Sequence, residues 1–168
     1  DHDVITTVLN QIDKFDKGIK QQLWLQCDKN GWNSLMTTLR YHTDPAVIKL
    51  ALNQIGELDK GIKQQLWLQT DEDGWNALML ALRHQTDTDV ITLALNQINE
   101  FDKDVQQKLW LQIDKGRWNP LMSALRNQRN PDVITTVLNQ IGKFDKGIQQ
   151  QIWLQNNKEG WNAFMLAR

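Results

Sequence analysis

The sequence predicts an all-α fold, a solenoid of about four stacked units with three short helices in each. Tryptophan recurs every 43 residues in two registers that together hold all eight tryptophans: Trp24, Trp67, Trp110 and Trp153, and Trp32, Trp75, Trp118 and Trp161. A repeat of this length is typical of supersecondary units that stack around one continuous core. Apolar residues recur at helical spacing, and no segment alternates as a half-buried strand does, so little or no β-structure is expected.

The composition is typical of a globular protein. Of the 168 residues, 40% are hydrophobic and 23% are charged, and the net charge at pH 7 is −1. This balance excludes a general electrostatic attraction to nucleic acid or to an anionic membrane surface. Cys27 is the only cysteine, so the chain forms no internal disulfide, which fits a reducing compartment.

We expect one continuous array with approximate units 1–43, 44–86, 87–129 and 130–168. Neither end carries the polar cap that a free-standing array needs. The chain is therefore expected to be a fragment of a longer protein, or to make contacts through its uncapped ends.

The first helix of a unit begins at an Asp-Pro pair in the second copy. Asp44 is suited to the N-cap, and Pro45 to the first helical position, where a missing N–H costs nothing. The apolar residues from Val47 to Ile55 then fall on one helical face.

The second helix is expected to follow Asp59, a plausible N-cap residue that recurs in every unit as Asp16, Asp102 and Asp145. Leu66, Trp67 and Leu68 are consecutive, so large apolar side chains cover most of the helix circumference. We therefore expect this end of the helix to be wedged between neighbouring units.

The third helix follows a loop in which Gly74 suits a positive φ angle. Arg117 holds the glycine position in the third copy, so that loop is expected to bend differently. Asn76 is a likely N-cap, and Arg83 in the last turn is favoured by the helix dipole. Because no helix here is long enough to be stable alone, stability should come from the interfaces between units.

The segment 71–81, DEDGWNALMLA, resembles the ankyrin-repeat signature DxxGxTPLHxA. The third copy keeps the proline as Pro120, asparagine replaces the capping threonine, and methionine replaces the histidine. The run from Val90 to Leu95 is similar to the second ankyrin helix. The resemblance covers about two-thirds of each unit and implies an ankyrin-like repeat array.

The unit length departs from the ankyrin pattern, which has about 33 residues per repeat. The Trp-bearing helix stands where an ankyrin repeat has its β-hairpin. Armadillo and HEAT repeats have similar lengths and remain alternatives, although their signatures are absent. Long, tryptophan-rich ankyrin-like repeats resemble segments of effector proteins of intracellular bacteria, which implies a cytoplasmic location, in the host cytosol if the protein is secreted.

Two constant columns have both a structural and a functional interpretation. The tryptophans could stack bases or anchor a peptide, but an aromatic stripe at helical spacing favours a core role. The pair Asn53-Gln54 recurs in every unit, and such pairs can read RNA one base at a time. To read different bases, the pair would have to differ between units, and here it is constant. Hydrogen bonding to the turn or to the adjacent unit is therefore the favoured role.

The charged columns have two interpretations as well. Arg40, Arg83 and Arg126 could bind phosphates or an acidic peptide, although a solvated charge at a helix terminus is favoured. The lysine column follows the capping aspartates and is interpreted as solvated: Lys17, Lys60, Lys103 and Lys146.

No motif points to catalysis or to a cofactor. His2, His42 and His84 have no cysteine or histidine partner at metal-ligand spacing. No nucleophile elbow, phosphate-binding glycine loop or HExxH motif occurs. We therefore expect no enzymatic activity, no cofactor, no metal and no small-molecule substrate.

The positions that vary within the constant frame are the candidates for partner binding. The ankyrin resemblance implies that the loop and the end of the third helix line a concave binding face, whereas neutral variation at exposed positions is equally consistent with the pattern. The candidates at the helix end are Tyr41, His84 and Asn127, with Arg40, Arg83 and Arg126 beside them. The candidates in the loop are Lys29, Asn30, Glu72, Asp73, Lys115, Lys158 and Glu159. The last candidates are Thr37, Leu80 and Ser123, which are expected, together with Leu166, to face away from the apolar stripe.

The expected function is a non-catalytic protein–protein interaction module that binds a partner of unknown identity along its concave face. One alternative is the binding of nucleic acid or phospholipid through the arginine column, although neither a nucleic acid nor a membrane is the expected partner. A second alternative is a structural spacer for a catalytic domain outside this chain.

Overall fold

The computed structural model describes residues 2–168, which form twelve α-helices joined by short loops. Each of the four units contains three of them. In chain order the helices are α1 (His2–Ile12), α2 (Lys17–Leu25), α3 (Ser34–Tyr41), α4 (Pro45–Gly56), α5 (Lys60–Leu68), α6 (Ala77–His84), α7 (Thr88–Asn99), α8 (Lys103–Leu111), α9 (Pro120–Asn127), α10 (Pro131–Ile141), α11 (Lys146–Leu154) and α12 (Ala163–Leu166).

Equivalent helices of successive units pack side by side in three rows. The first row holds α1, α4, α7 and α10, the second α2, α5, α8 and α11, and the third α3, α6, α9 and α12. Within residues 2–168 the β-structure is limited to one isolated bridge, between Cys27 and Asn33. The all-α prediction is confirmed. No helix in this part of the chain is long and apolar enough to span a bilayer.

The predicted N-caps occupy their positions, but they do not all use their side chains alike. Asp44 accepts a hydrogen bond from the Ala46 amide at 2.8 Å, as a capping residue should. Asp59 makes no capping bond and instead lies 2.7 Å from Nζ of Lys17 in the preceding unit. Lys60 and Asp102 repeat this ion pair at 3.6 Å. Lys17 and Lys60 therefore bridge units as well as facing solvent, which the interpretation of this column as solvated does not include.

The capping asparagine of the third helix bonds to two units at once. Oδ1 of Asn76 accepts from the Met79 amide at 2.9 Å, and Nδ2 donates to the Leu109 carbonyl of the next unit at 3.3 Å. Asn33 and Asn119 make the equivalent bonds. Leu109 lies in the last turn of α8. The side-chain amide of one asparagine therefore bonds to backbone groups at two helix ends that have no partner within their own helices. An amide carries a separate donor and acceptor, which explains asparagine here.

The glutamine of the constant Asn-Gln pair bonds to the preceding unit in the second, third and fourth units, as predicted. Nε2 of Gln54 donates to the Leu9 carbonyl at 2.9 Å, and Gln97 donates in the same way to Leu52. Oε1 of Gln97 also accepts from Nε1 of Trp67 at 3.2 Å. Asn53 is exposed. The inter-unit role therefore belongs to the buried glutamine rather than to the pair.

The first tryptophan register lies in the core, as predicted. Trp24, Trp67 and Trp110 are buried between successive units, and Trp153 in the last unit is half-buried. The two end faces of the array are apolar, with Val4 exposed at one end and Phe164 77% exposed at the other.

The prediction that one column of the third helix faces away from the apolar stripe is wrong for three of its four members. Leu80 is only 2% exposed, Ser123 1% and Leu166 3%, whereas Thr37 is half-buried. The reason is that α6 and α9 each pack between two equivalent helices and against the other rows as well. Neighbouring units therefore cover both sides of the helix, which a single-stripe pattern does not reveal.

Candidate functional site

The loop before each third helix is organised by one acidic or amide side chain. In the second unit, Oδ1 of Asp71 accepts hydrogen bonds from the backbone amides of Asp73 and Trp75, both at 2.9 Å. Asp28 and Asn157 hold their loops in the same way. These bonds hold the second-register tryptophan at a constant place in each unit.

Backbone hydrogen bonds join the four loops into a continuous ridge. The Glu72 amide donates to the Asn30 carbonyl at 2.9 Å, and the Lys115 amide donates to the Asp73 carbonyl at 2.7 Å. The third bond, from Lys158 to Gly116, measures 3.0 Å. We call this feature the loop ridge, formed by residues 27–33, 70–76, 113–119 and 156–162.

The third loop keeps the shape of the others although it lacks the glycine. Gly74 has a φ of +85°, and Arg117 adopts +64° at the equivalent place. The Arg117 amide donates to the Asp114 carbonyl at 2.9 Å, as Gly74 does to Asp71 at 3.0 Å. The prediction of a different bend is therefore wrong. The hydrogen bonds of Asp114 and the stacking of the loops hold Arg117 in the left-handed region, at a cost of about 1–2 kcal/mol.

The second tryptophan register is only half-buried, so the core prediction holds for the first register alone. Each of these tryptophans belongs to the loop ridge and precedes the third helix of its unit. The guanidinium of Arg83 lies 5.0 Å from the ring centroid of Trp75, within cation–π range. The rings of Trp32 and Tyr41 are 6.1 Å apart.

Two pockets lie between the loop ridge and the ends of the third helices, and together they form what we call the loop groove. The first pocket, at the junction of the first two units, has a volume of about 190 Å³. Its lining residues are Trp32, Arg40, Asp71, Asp73, Trp75, Leu80, Arg83 and His84. The second pocket, one unit further along, has a volume of about 570 Å³. Its lining residues are Trp75, Arg83, Asp114, Gly116, Trp118, Arg126, Asn127 and Arg129.

Charges in the first pocket are nearly balanced, because two arginines face two aspartates. Arg40 Nη1 lies 3.0 Å from Nε2 of His84. Burial, together with the charges of Arg40 and Arg83, lowers the pKa of His84 to about 4. The imidazole is therefore neutral at pH 7 and can accept a hydrogen bond from the guanidinium.

The second pocket has more cations than anions. Arg83, Arg126 and Arg129 line it, and Asp114 is its one carboxylate. Burial raises the pKa of Asp114, while hydrogen bonds from the backbone of Trp118 and Gly116 oppose the rise. The amide of Asn127 donates to the Ser123 carbonyl at 2.8 Å.

The structure brings together less than half of the partner-binding candidates in the loop groove. The candidates that line it are Arg40, Asp73, Leu80, Arg83, His84, Arg126 and Asn127. Tyr41 lies at its edge and is 68% exposed. The candidates on the loop ridge outside the two pockets are Lys29, Asn30, Glu72, Lys115, Lys158 and Glu159.

Two candidates lie elsewhere. Thr37 lines an apolar cavity between α1 and α3 at the first end face. The buried Ser123 cannot contact a partner directly.

Sequence reasoning missed several residues that line the loop groove. The sequence favours a core role for Trp75 and Trp118, and it gives no sign that Asp71 and Asp114 line a groove. Arg129 was not singled out, although it stands where the earlier units have threonine, at Thr43 and Thr86. That departure from the repeat was the available signal.

Among residues 2–168, no group of three or more His, Cys, Asp or Glu side chains could hold a metal ion. No protein-family model matches the chain, and a comparison with curated proteins found none of significant similarity.

Proposed function

We propose that this chain binds a protein partner along the loop groove and catalyses no reaction. The observation that carries the proposal is the pair of adjacent pockets at two successive unit junctions, each walled by half-buried tryptophans and bordered by exposed arginines. Tryptophan, tyrosine and arginine dominate the binding energy of protein interfaces. Half-buried rings held by a rigid loop lose little conformational entropy on binding, which favours affinity.

The ankyrin resemblance supports the same face. In that family the loops and the end of the first ankyrin helix line the concave surface, and the loop groove lies between the corresponding elements here. We therefore infer an ankyrin-like solenoid with the loop groove on its concave side. The lone Cys27 and the resemblance to bacterial effector repeats support a cytoplasmic site of action.

Nucleic acid is the second candidate, and the arginines of the second pocket favour it. Stacked rings beside cations are typical of single-strand binding surfaces. However, the loop ridge also carries Glu72, Asp73 and Glu159, which would repel a phosphate backbone running along it. A protein partner can match such mixed charges, so we favour protein recognition.

The test is a selection of random 12-residue peptides displayed on phage, followed by fluorescence anisotropy with the enriched peptides. The groove variant is His84→Ala with Asn127→Ala. The control is Asn53→Ala, because Asn53 is exposed on α4 and lies outside the loop groove. We expect the groove variant to weaken binding by about tenfold, equivalent to about 1.4 kcal/mol, and the control to leave it unchanged. Equal affinity for both variants would refute the proposal.

A further inference from the structure

The second pocket holds more arginines than carboxylates, and none of its arginines forms an ion pair within the described residues. The ion pairs found among residues 2–168 involve none of Arg83, Arg126 and Arg129. All three are exposed and border the same cavity.

The one carboxylate of the second pocket is already engaged. Oδ1 of Asp114 accepts from the Trp118 amide at 2.8 Å and holds the loop in shape. Even when it is ionised, three cations face one anion. The pocket therefore carries a net positive charge beside the half-buried rings of Trp75 and Trp118.

This charge arises where the chain departs from its own repeat. Arg129 replaces the threonine of the earlier units, Gly116 replaces the acidic Asp73, and Arg117 replaces a glycine. The helical frame is the same in all units, so packing does not require these substitutions. Arg117 even adopts a strained backbone conformation. Each change removes a negative charge or adds a positive one near the same junction.

We propose that the second pocket binds an acidic peptide segment of the protein partner, with a glutamate or aspartate side chain held by Arg126 and Arg129. The proposal rests on the function proposed above. Guanidinium groups bind carboxylates through two parallel hydrogen bonds, and neighbouring tryptophan rings exclude water and strengthen the attraction. The volume of about 570 Å³ lies within the range of about 300–1,000 Å³ that is usual for ligand pockets.

The test uses the peptides selected on the full chain as described above and measures their dissociation constants by fluorescence anisotropy. The variant is Arg126→Gln with Arg129→Gln. The matched control is Lys14→Gln with Lys143→Gln, which removes two positive charges from exposed residues outside the loop groove. Supporting results are selected peptides rich in glutamate and aspartate, about tenfold weaker binding to the variant, and less than twofold weaker binding to the control. Binding should also weaken when NaCl rises from about 50 to about 200 mM.

Three outcomes overturn the inference and are distinguishable. In the first, the selected peptides lack acidic residues, bind the arginine variant as tightly as wild type, and bind the His84→Ala, Asn127→Ala variant more weakly. This result would refute the acidic ligand and leave the proposed function standing. A selection that enriches no peptide would refute both. Tighter binding of a 12-nucleotide oligothymidylate, in competition with the peptide, would replace the acidic peptide by a nucleic acid.

Discussion

Replacing the capping asparagine of an internal unit with threonine should weaken the contact between units. Asn76→Thr keeps an oxygen that can cap α6 but removes the amide that donates to the Leu109 carbonyl of the next unit. Threonine is also the residue that the ankyrin signature has at this position. The substitution thus separates the role of the residue within its own helix from its role between units.

The expected cost follows from the environment of the two groups. Asn76 is buried, and its bond to Leu109 lies away from solvent. A buried carbonyl that loses its donor costs about 1–3 kcal/mol, whereas exchanging asparagine for threonine at an N-cap costs a few tenths of a kcal/mol. We therefore expect Asn76→Thr to lower the free energy of unfolding by about 2 kcal/mol.

Urea unfolding followed by circular dichroism measures the effect, and the chain supplies its own control. Asn162 caps α12 through the Met165 amide but makes no bond to another unit within residues 2–168. Asn162→Thr should therefore cost less than about 0.5 kcal/mol. Because the last helix could unfold separately, Asn33→Thr in the first unit serves as a second comparison and should resemble Asn76→Thr. Equal costs for Asn76→Thr and Asn162→Thr would refute the reasoning.

Four further predictions concern the loops, the tryptophans and His84. Arg117→Gly should raise the free energy of unfolding by about 0.5–1 kcal/mol in urea titrations, because relief of the left-handed strain exceeds the added chain entropy. Gly74→Ala should lower the free energy of unfolding by more than Gly160→Ala does. A Cβ atom at position 74 would lie 3.0 Å from Cα of Asp114, whereas position 160 faces open space. Equal losses for the two variants would contradict this. Trp67→Ala should lower the free energy of unfolding by about 3–5 kcal/mol, and the half-buried Trp75→Ala by clearly less. Because the folded-state pKa of His84, about 4, lies below its unfolded value, protons bind the unfolded chain first, and stability should fall as the pH drops from about 6.5 to about 4. Thermal melts over a pH series measure this effect, and His84→Asn should reduce the fall in melting temperature between about pH 6.5 and about pH 4. An unchanged pH profile in the variant would show that His84 does not cause the fall.

Local sequence patterns were sufficient to predict the helices and most of their ends. Asp44, Pro45 and Asn76 mark helix starts because capping depends on a few adjacent residues. The burial of Trp67 was predictable for a similar reason, since three consecutive large apolar residues cover most of the helix circumference. The repeat then implied the same three helices in every unit.

Predictions about exposure failed where a neighbouring unit decides it. Leu80 and Ser123 lie on the side of the helix that seemed free, but the adjacent third helices cover that side as well. Trp75 belongs to an apolar pattern and yet lies half-buried, because it precedes the helix and its ring meets Arg83. Periodicity describes one helix at a time and contains no information about the next row.

By itself the sequence determined that the chain is built of repeated short helices, because helix formation and capping depend on residues within a few positions of one another. Only the tertiary structure decided which side chains share the loop groove. Arg83 and Arg126 are 43 residues apart in the chain, and stacking brings them to one pocket together with Arg129. The charge of that pocket depends on the packing of successive units, which no single unit encodes.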